Sequence, residues 1–83
     1  MHYILLCRSM TLAQRTARVL QRAGLFASIT KAPQSANPDG CTYGVKIGAR
    51  SLERALETLR AQDIPIGAIF SLDERGVFRE AEP

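Results

Sequence analysis

Ala36-Asn37-Pro38-Asp39-Gly40-Cys41-Thr42-Tyr43-Gly44-Val45-Lys46-Ile47 is the stretch whose reading decides the fold. Asn, Pro, Asp and Gly each favour chain reversal for a different steric reason, so residues 36–40 read as a turn. The run from about Cys41 to Ile47 reads as a strand. Just upstream, Phe26-Ala27-Ser28-Ile29-Thr30 is also strand-like. The segment between them, Ala32 to Gly40, is polar and carries two prolines, so it reads as a connecting loop. Two strands therefore follow one another with no helix between them.

Working outward, each strand of this pair meets a helix on its far side. Tyr3 to Cys7 is short and apolar, as a central strand covered on both faces should be. Ser9 or Thr11 can cap the following helix by accepting from its first exposed amides. Leu12, Thr16, Val19, Leu20 and Ala23 recur at the helical period, and Gly24 is placed to stop the helix in the left-handed conformation. Downstream, Ser51 is the expected cap of a second helix with an apolar stripe of Leu52, Ala55, Leu56 and Leu59. Pro65 closes that helix off, and Ile66 to Ser71 reads as a fourth strand. Leu20-Gln21-Arg22-Ala23-Gly24-Leu25 and Leu59-Arg60-Ala61-Gln62-Asp63-Ile64 share one polar–apolar rhythm, which fits two like units.

The resulting order, βαββαβ, predicts an α+β protein with a ferredoxin-like sandwich: a four-stranded antiparallel sheet with two helices on one face. Asp73-Glu74-Arg75-Gly76 offers a further turn, after which Val77-Phe78-Arg79 can fold back as a short C-terminal hairpin strand. Residues 1–79 are expected to form one domain and residues 80–83 a frayed tail. Eighty-three residues support one sheet with one layer of helices and little room for an enclosed cavity.

Composition narrows the function. The apolar share of 46% and charged share of 23% are those of an ordinary globular chain. No apolar run approaches the ~18–20 residues needed to cross a bilayer. Residues 3–7 are too short for a signal-peptide core and lack a preceding basic region, so the expectation is a cytoplasmic protein with reduced thiols and no membrane partner. The net charge of +3 owes much to Arg15, Arg18 and Arg22, spaced along one helix face. A solvated outer face accounts for them, and neither an aromatic RNA-binding strand motif nor a helix-turn-helix accompanies them. A nucleic-acid partner is therefore disfavoured.

The chemistry available is thiol chemistry. The chain has two cysteines, too few for a disulfide framework but enough for a redox or transfer pair. The predicted topology sets strands one and three side by side and antiparallel, so Cys7 and Cys41 both fall at one end of the sheet. Facing the same way, they would approach disulfide distance, ~5.5–6 Å between Cα atoms. The first helix begins at that end, and its dipole together with Arg8 would favour a thiolate. Gly40 and Gly44 leave room around Cys41. Ser9 and Thr11 could aim amides at an anion, although capping explains both. Tyr43 either borders the site or fills the core face with Val45 and Ile47, the reading its two-residue alternation favours. His2, at the opposite end of strand one, gives neither a zinc site nor a Cys–His pair with Cys7. No metal and no cofactor is expected.

The chain resembles the small family of selenium/sulfur carrier-like proteins over nearly its whole length. The resemblance is carried by Tyr3-Ile4-Leu5-Leu6 with Cys7-Arg8-Ser9-Met10-Thr11, by Ala23-Gly24-Leu25 and Pro33, by Gly40-Cys41-Thr42-Tyr43-Gly44, and by Leu52-Glu53 through Ile64-Pro65. Glycine commonly follows the family's cysteine; here Thr42 stands there. The resemblance implies a sulfur or selenium carrier in which Cys41 accepts the atom as a persulfide or selenosulfide. It also implies a cysteine desulfurase-type donor, an acceptor protein, and Cys7 as the candidate second thiol that resolves the adduct. Arg8, Ser9, Thr11, Gly40, Thr42, Tyr43 and Gly44 would shape the site. The competing expectation is a non-enzymatic adaptor or ligand-sensing module, dimeric through the sheet face left without helices. Strand one is apolar on both sides, with Tyr3 and Leu5 on one and Ile4 and Leu6 on the other.

Overall fold

The computed structural model describes residues 1–31 and 43–81. Their order is β1 (His2–Leu6), α1 (Met10–Arg22), β2 (Ala27–Lys31), β3 (Tyr43–Gly48), a 3-10 turn (Ala49–Ser51), α2 (Leu52–Ala61), β4 (Ile69–Leu72) and β5 (Phe78–Ala81). Among these residues the sheet is five-stranded, in the order β2-β3-β1-β4-β5, and every neighbouring pair is antiparallel. The expected adjacency of strands one and three holds, with Leu6 opposite Gly44. The hairpin strand makes the sheet one strand wider than the four-stranded core expected from the sequence.

Helix α1 starts where Ser9, in extended conformation, accepts the Leu12 amide on its Oγ at 3.1 Å. Of the two cap candidates it is therefore Ser9 that caps, while Thr11 lies exposed inside the first turn. The helix ends in a Schellman motif. Gly24 (φ 82°) donates to the Gln21 carbonyl and Leu25 to the Leu20 carbonyl, both at 3.0 Å. Helix α2 ends the same way without glycine: Asp63 (φ 55°) donates to Arg60 O at 3.1 Å and Ile64 to Leu59 O at 2.9 Å. The shared rhythm of the two segments is thus a shared hydrogen-bond pattern. Its start differs from expectation. Ser51 holds a near-helical conformation and makes no side-chain cap bond, because the 3-10 turn before it already leads the backbone into the helix.

Both helices pack on the sheet face that carries Leu5, Val45, Ile47 and Ile69, joined by Ala13, Ala17 and Leu20 from α1 and by Ala55, Leu56 and Leu59 from α2. Burying each of the larger side chains stabilises the fold by ~1.5–3 kcal/mol. The α1 stripe sits slightly off its expected position. Ala13 and Ala17 are buried while Leu12 and Val19 only flank the core, so small residues form the seam that lies on the sheet. The α2 stripe is as expected, with Leu52 at its edge.

Strand β4 begins later than Ile66 because Gly67 runs hard against β1. A Cβ there would lie 2.7 Å from the Leu6 carbonyl oxygen. The turn into β5 is fixed by Asp73, whose Oδ1 accepts from Arg75 N (2.9 Å) and Val77 N (3.0 Å), with Gly76 at φ 81°. Strand β5 then reaches Ala81, pairing Glu80 with Phe70 and Ala81 with Ile69, where a frayed tail was expected from Glu80.

Candidate functional site

The end of β1 and the start of α1 gather most of the described candidate residues. Leu6 closes β1 and Met10 opens α1, so the three residues between them, Cys7, Arg8 and Ser9, form a tight link. The link is held on both flanks: Leu6 N donates to Ala68 O at 2.9 Å and Cys7 N to Tyr43 O at 3.1 Å. Tyr43, at the start of β3, is thereby fixed beside Cys7. Its side chain is half-buried against the helix-covered core, as the alternation with Val45 and Ile47 suggested. Gly40, Cys41 and Thr42 lie outside the described residues, and with them the approach of Cys41 to Cys7.

Gly44 has a packing reason to be glycine. It is buried opposite Leu6, and a Cβ on it would lie 2.6 Å from Ile4 Cγ2 and 3.1 Å from the Leu5 carbonyl oxygen. Side-chain addition there collides with backbone as well as with a methyl group. Arg8, Ser9 and Thr11 all present to solvent, while Cys7 does not. Cys7 is 5% exposed and belongs to the main core. Its Sγ lies 3.7 Å from Leu5 O and 4.0 Å from Thr16 Oγ1, distances at which a thiol donates. Buried, packed cysteines of this kind are chemically quiet compared with exposed ones.

Thr16 is the residue whose part the sequence hid. It takes its place in the buried stripe of α1, as expected, but at 2% exposure its hydroxyl meets the Cys7 thiol inside the core. A threonine in an apolar helical stripe was the one available signal for a polar partner in the core. At the other end of β1, His2 pairs with Gly48 and Leu72. Partial desolvation, then the Lys46 ammonium, then the N-terminal amine hold its pKa below the usual 6.5. Among the described residues no group of three or more His, Cys, Asp or Glu is placed to hold a metal ion, and no helix is long and apolar enough to cross a membrane.

A small α+β domain with a thiol-bearing strand end is the class this architecture defines. Residues 2–71 match the family model described as "Putative Se/S carrier protein-like", and the chain belongs to that family. No curated protein and no solved structure shows significant similarity to it.

Proposed function

We propose that this protein is a thiol-based carrier of sulfur or selenium, built on a ferredoxin-like βαββαβ unit to which β5 adds an edge strand. Family membership over residues 2–71 is the observation that carries this reading. Cys41 is the accepting thiol. In sequence it stands two residues before Tyr43, whose carbonyl accepts from Cys7 N.

The transfer is a two-electron exchange at sulfur. The Cys41 thiolate attacks the terminal sulfur of a donor persulfide, such as that of a cysteine desulfurase-type enzyme. The Cys41 Sγ–S bond forms, the donor S–S bond breaks, and the donor cysteine leaves as a thiolate. An acceptor protein's thiolate then attacks the same terminal sulfur and regenerates Cys41. The selenium version has the same balance with selenium as the transferred atom. Release through Cys7 would instead form a Cys7–Cys41 disulfide and free the atom as hydrosulfide or hydroselenide. Since Cys7 is 5% exposed, that route requires a local opening that uncovers its thiol. Direct handover to an acceptor needs no such opening.

Incubating the reduced protein with a cysteine desulfurase and cysteine, followed by peptide mass spectrometry, tests the assignment. One added sulfur on the Cys41 peptide is expected, absent in Cys41→Ser and retained in Cys7→Ser. Native alkylation should reach Cys41 at the rate of an exposed thiol and Cys7 about 100-fold more slowly or less, as a group released only by local opening. An unmodified Cys41 in the presence of a demonstrably loaded donor overturns the reading.

A further inference from the structure

Among the described residues, the sheet face opposite α1 and α2 carries a pattern that is complementary to itself. Cross-strand partners share a face, so the register defines its rows. The middle row runs Lys46 (β3), Ile4 (β1), Phe70 (β4), Glu80 (β5). The next runs Gly48, His2, Leu72, Phe78 across the same strands. Over these four strands, with β2 and its Ser28 left beyond Lys46 at the rim, each row is balanced about the line between β1 and β4. Lys46 and Glu80 stand equally far from that line on opposite sides, as do Gly48 and Phe78. Ile4 is 1% exposed, Phe70, Leu72 and Phe78 are half-buried, and Glu80 is exposed.

We infer that two copies of this chain stack face to face through this surface, about a two-fold axis running along the strands between β1 and β4. That operation lays Lys46 over Glu80 of the second copy and Phe70 over the position of Ile4, which its own chain already buries. In the next row it lays Phe78 over Gly48, where the absence of a side chain leaves a notch, and Leu72 over His2. Charge meets charge of opposite sign, and a phenyl ring meets a residue without a side chain. The alternative two-fold, across the strands, would set Lys46 on Lys46 and Glu80 on Glu80, and repulsion disfavours it. The chosen axis also keeps the strands of the two sheets roughly aligned, the packing that sheet twist permits at ~10 Å separation. The interface is isologous, as a closed dimer requires. At ~4.8 Å between strands its four-strand width is about 15 Å, which puts it in the small, reversible class.

Sedimentation of the full chain from about 5 to 500 µM, the range that resolves reversible association of this class, tests the proposal. Concentration-dependent dimerisation is expected. Lys46→Glu and Glu80→Lys should each weaken it, by about tenfold or more, through like charges at two symmetric positions. An equimolar mixture of the two variants should associate more tightly than either variant alone, because every contact in the mixed dimer is again of opposite sign. Gly48→Leu is the steric probe. Only Ser51 Oγ, at 3.9 Å, lies near a Cβ at Gly48, so the monomer accepts the substitution while Phe78 of the second copy loses its notch. A monomer at every concentration overturns the inference and leaves the face to a different partner. So does a dimer indifferent to these changes, or a mixture that fails to associate.

Discussion

The two helices end alike and begin differently. At their C-termini, Leu20–Leu25 and Leu59–Ile64 make the same pair of backbone hydrogen bonds, one with Gly24 in the left-handed position and the other with Asp63. At their N-termini, Ser9 bonds the Leu12 amide while Ser51 bonds none through its side chain. The contrast separates two kinds of requirement. A helix end that must turn at once onto the core, as Leu25 and Ile64 both do, fixes the backbone whatever residue is available. A helix start has alternatives. Three residues join β1 to α1, so a side chain must satisfy the first amides, whereas the 3-10 turn before α2 continues smoothly into it.

Exchanging the two left-handed residues is the strongest way to break the likeness. Nothing lies within 4 Å of a Cβ built on Gly24, so Gly24→Ala tests conformation alone. It should cost about 1–2 kcal/mol, the price of the left-handed region for a residue with a Cβ. For a domain of this size that is a fall in melting temperature of roughly 4–15 °C. Gly24→Asp should cost less than Gly24→Ala, since Asp tolerates this region through its short polar side chain. Asp63→Gly should move the other way, raising stability by up to ~1 kcal/mol. Thermal unfolding of the three variants decides it. An unchanged Gly24→Ala protein would show that the first helix end is not held as described.

The two starts should separate by a smaller margin. Ser9→Ala removes a bonded cap and should cost about 1 kcal/mol. Ser51→Ala removes a hydroxyl that makes no cap bond, and should stay within ~0.5 kcal/mol. Denaturant unfolding with equal m-values resolves the difference, and equal losses at both serines would refute it. Ser9 also lies in the candidate site, so the loss in stability should come with little change in sulfur loading of Cys41 if its part is capping.

What was legible in the sequence follows from the range of the forces involved. Caps, turns and periodicities are local, so Ser9, Gly24 and the Asp73–Gly76 turn could be read directly, and the strand succession gave the pairing of β1 with β3. Contacts between distant segments left weaker marks. Ala13 and Ala17 carry little apolar signal, yet their smallness makes them the seam of α1. Gly44 looked like room for a thiol, and its reason proved to be Ile4 and the Leu5 carbonyl on the next strand. Cys7 looked reactive from its place at a helix start. What decides its surroundings is Thr16, more than two helical turns away along the chain, which no local pattern could connect to it.

The smallest difference between the halves is electrostatic, because the first strand carries the chain's single histidine. Desolvation, with Lys46 and the N-terminal amine, lowers the pKa of His2 in the folded protein below 6.5. In the window between the folded value and 6.5, the unfolded chain binds more protons than the folded one. Stability therefore rises with pH through that window and is lost as pH falls below about 6.5. The partners are near the surface and screened by salt, so the effect should shrink as ionic strength rises. Melting temperatures from pH 7.5 down to pH 5, compared between the wild type and His2→Gln, isolate it, since the carboxylates contribute to both. The wild type should lose more on acidification at low salt, with the gap closing at high salt. Parallel curves would show that His2 titrates alike in the folded and unfolded chains.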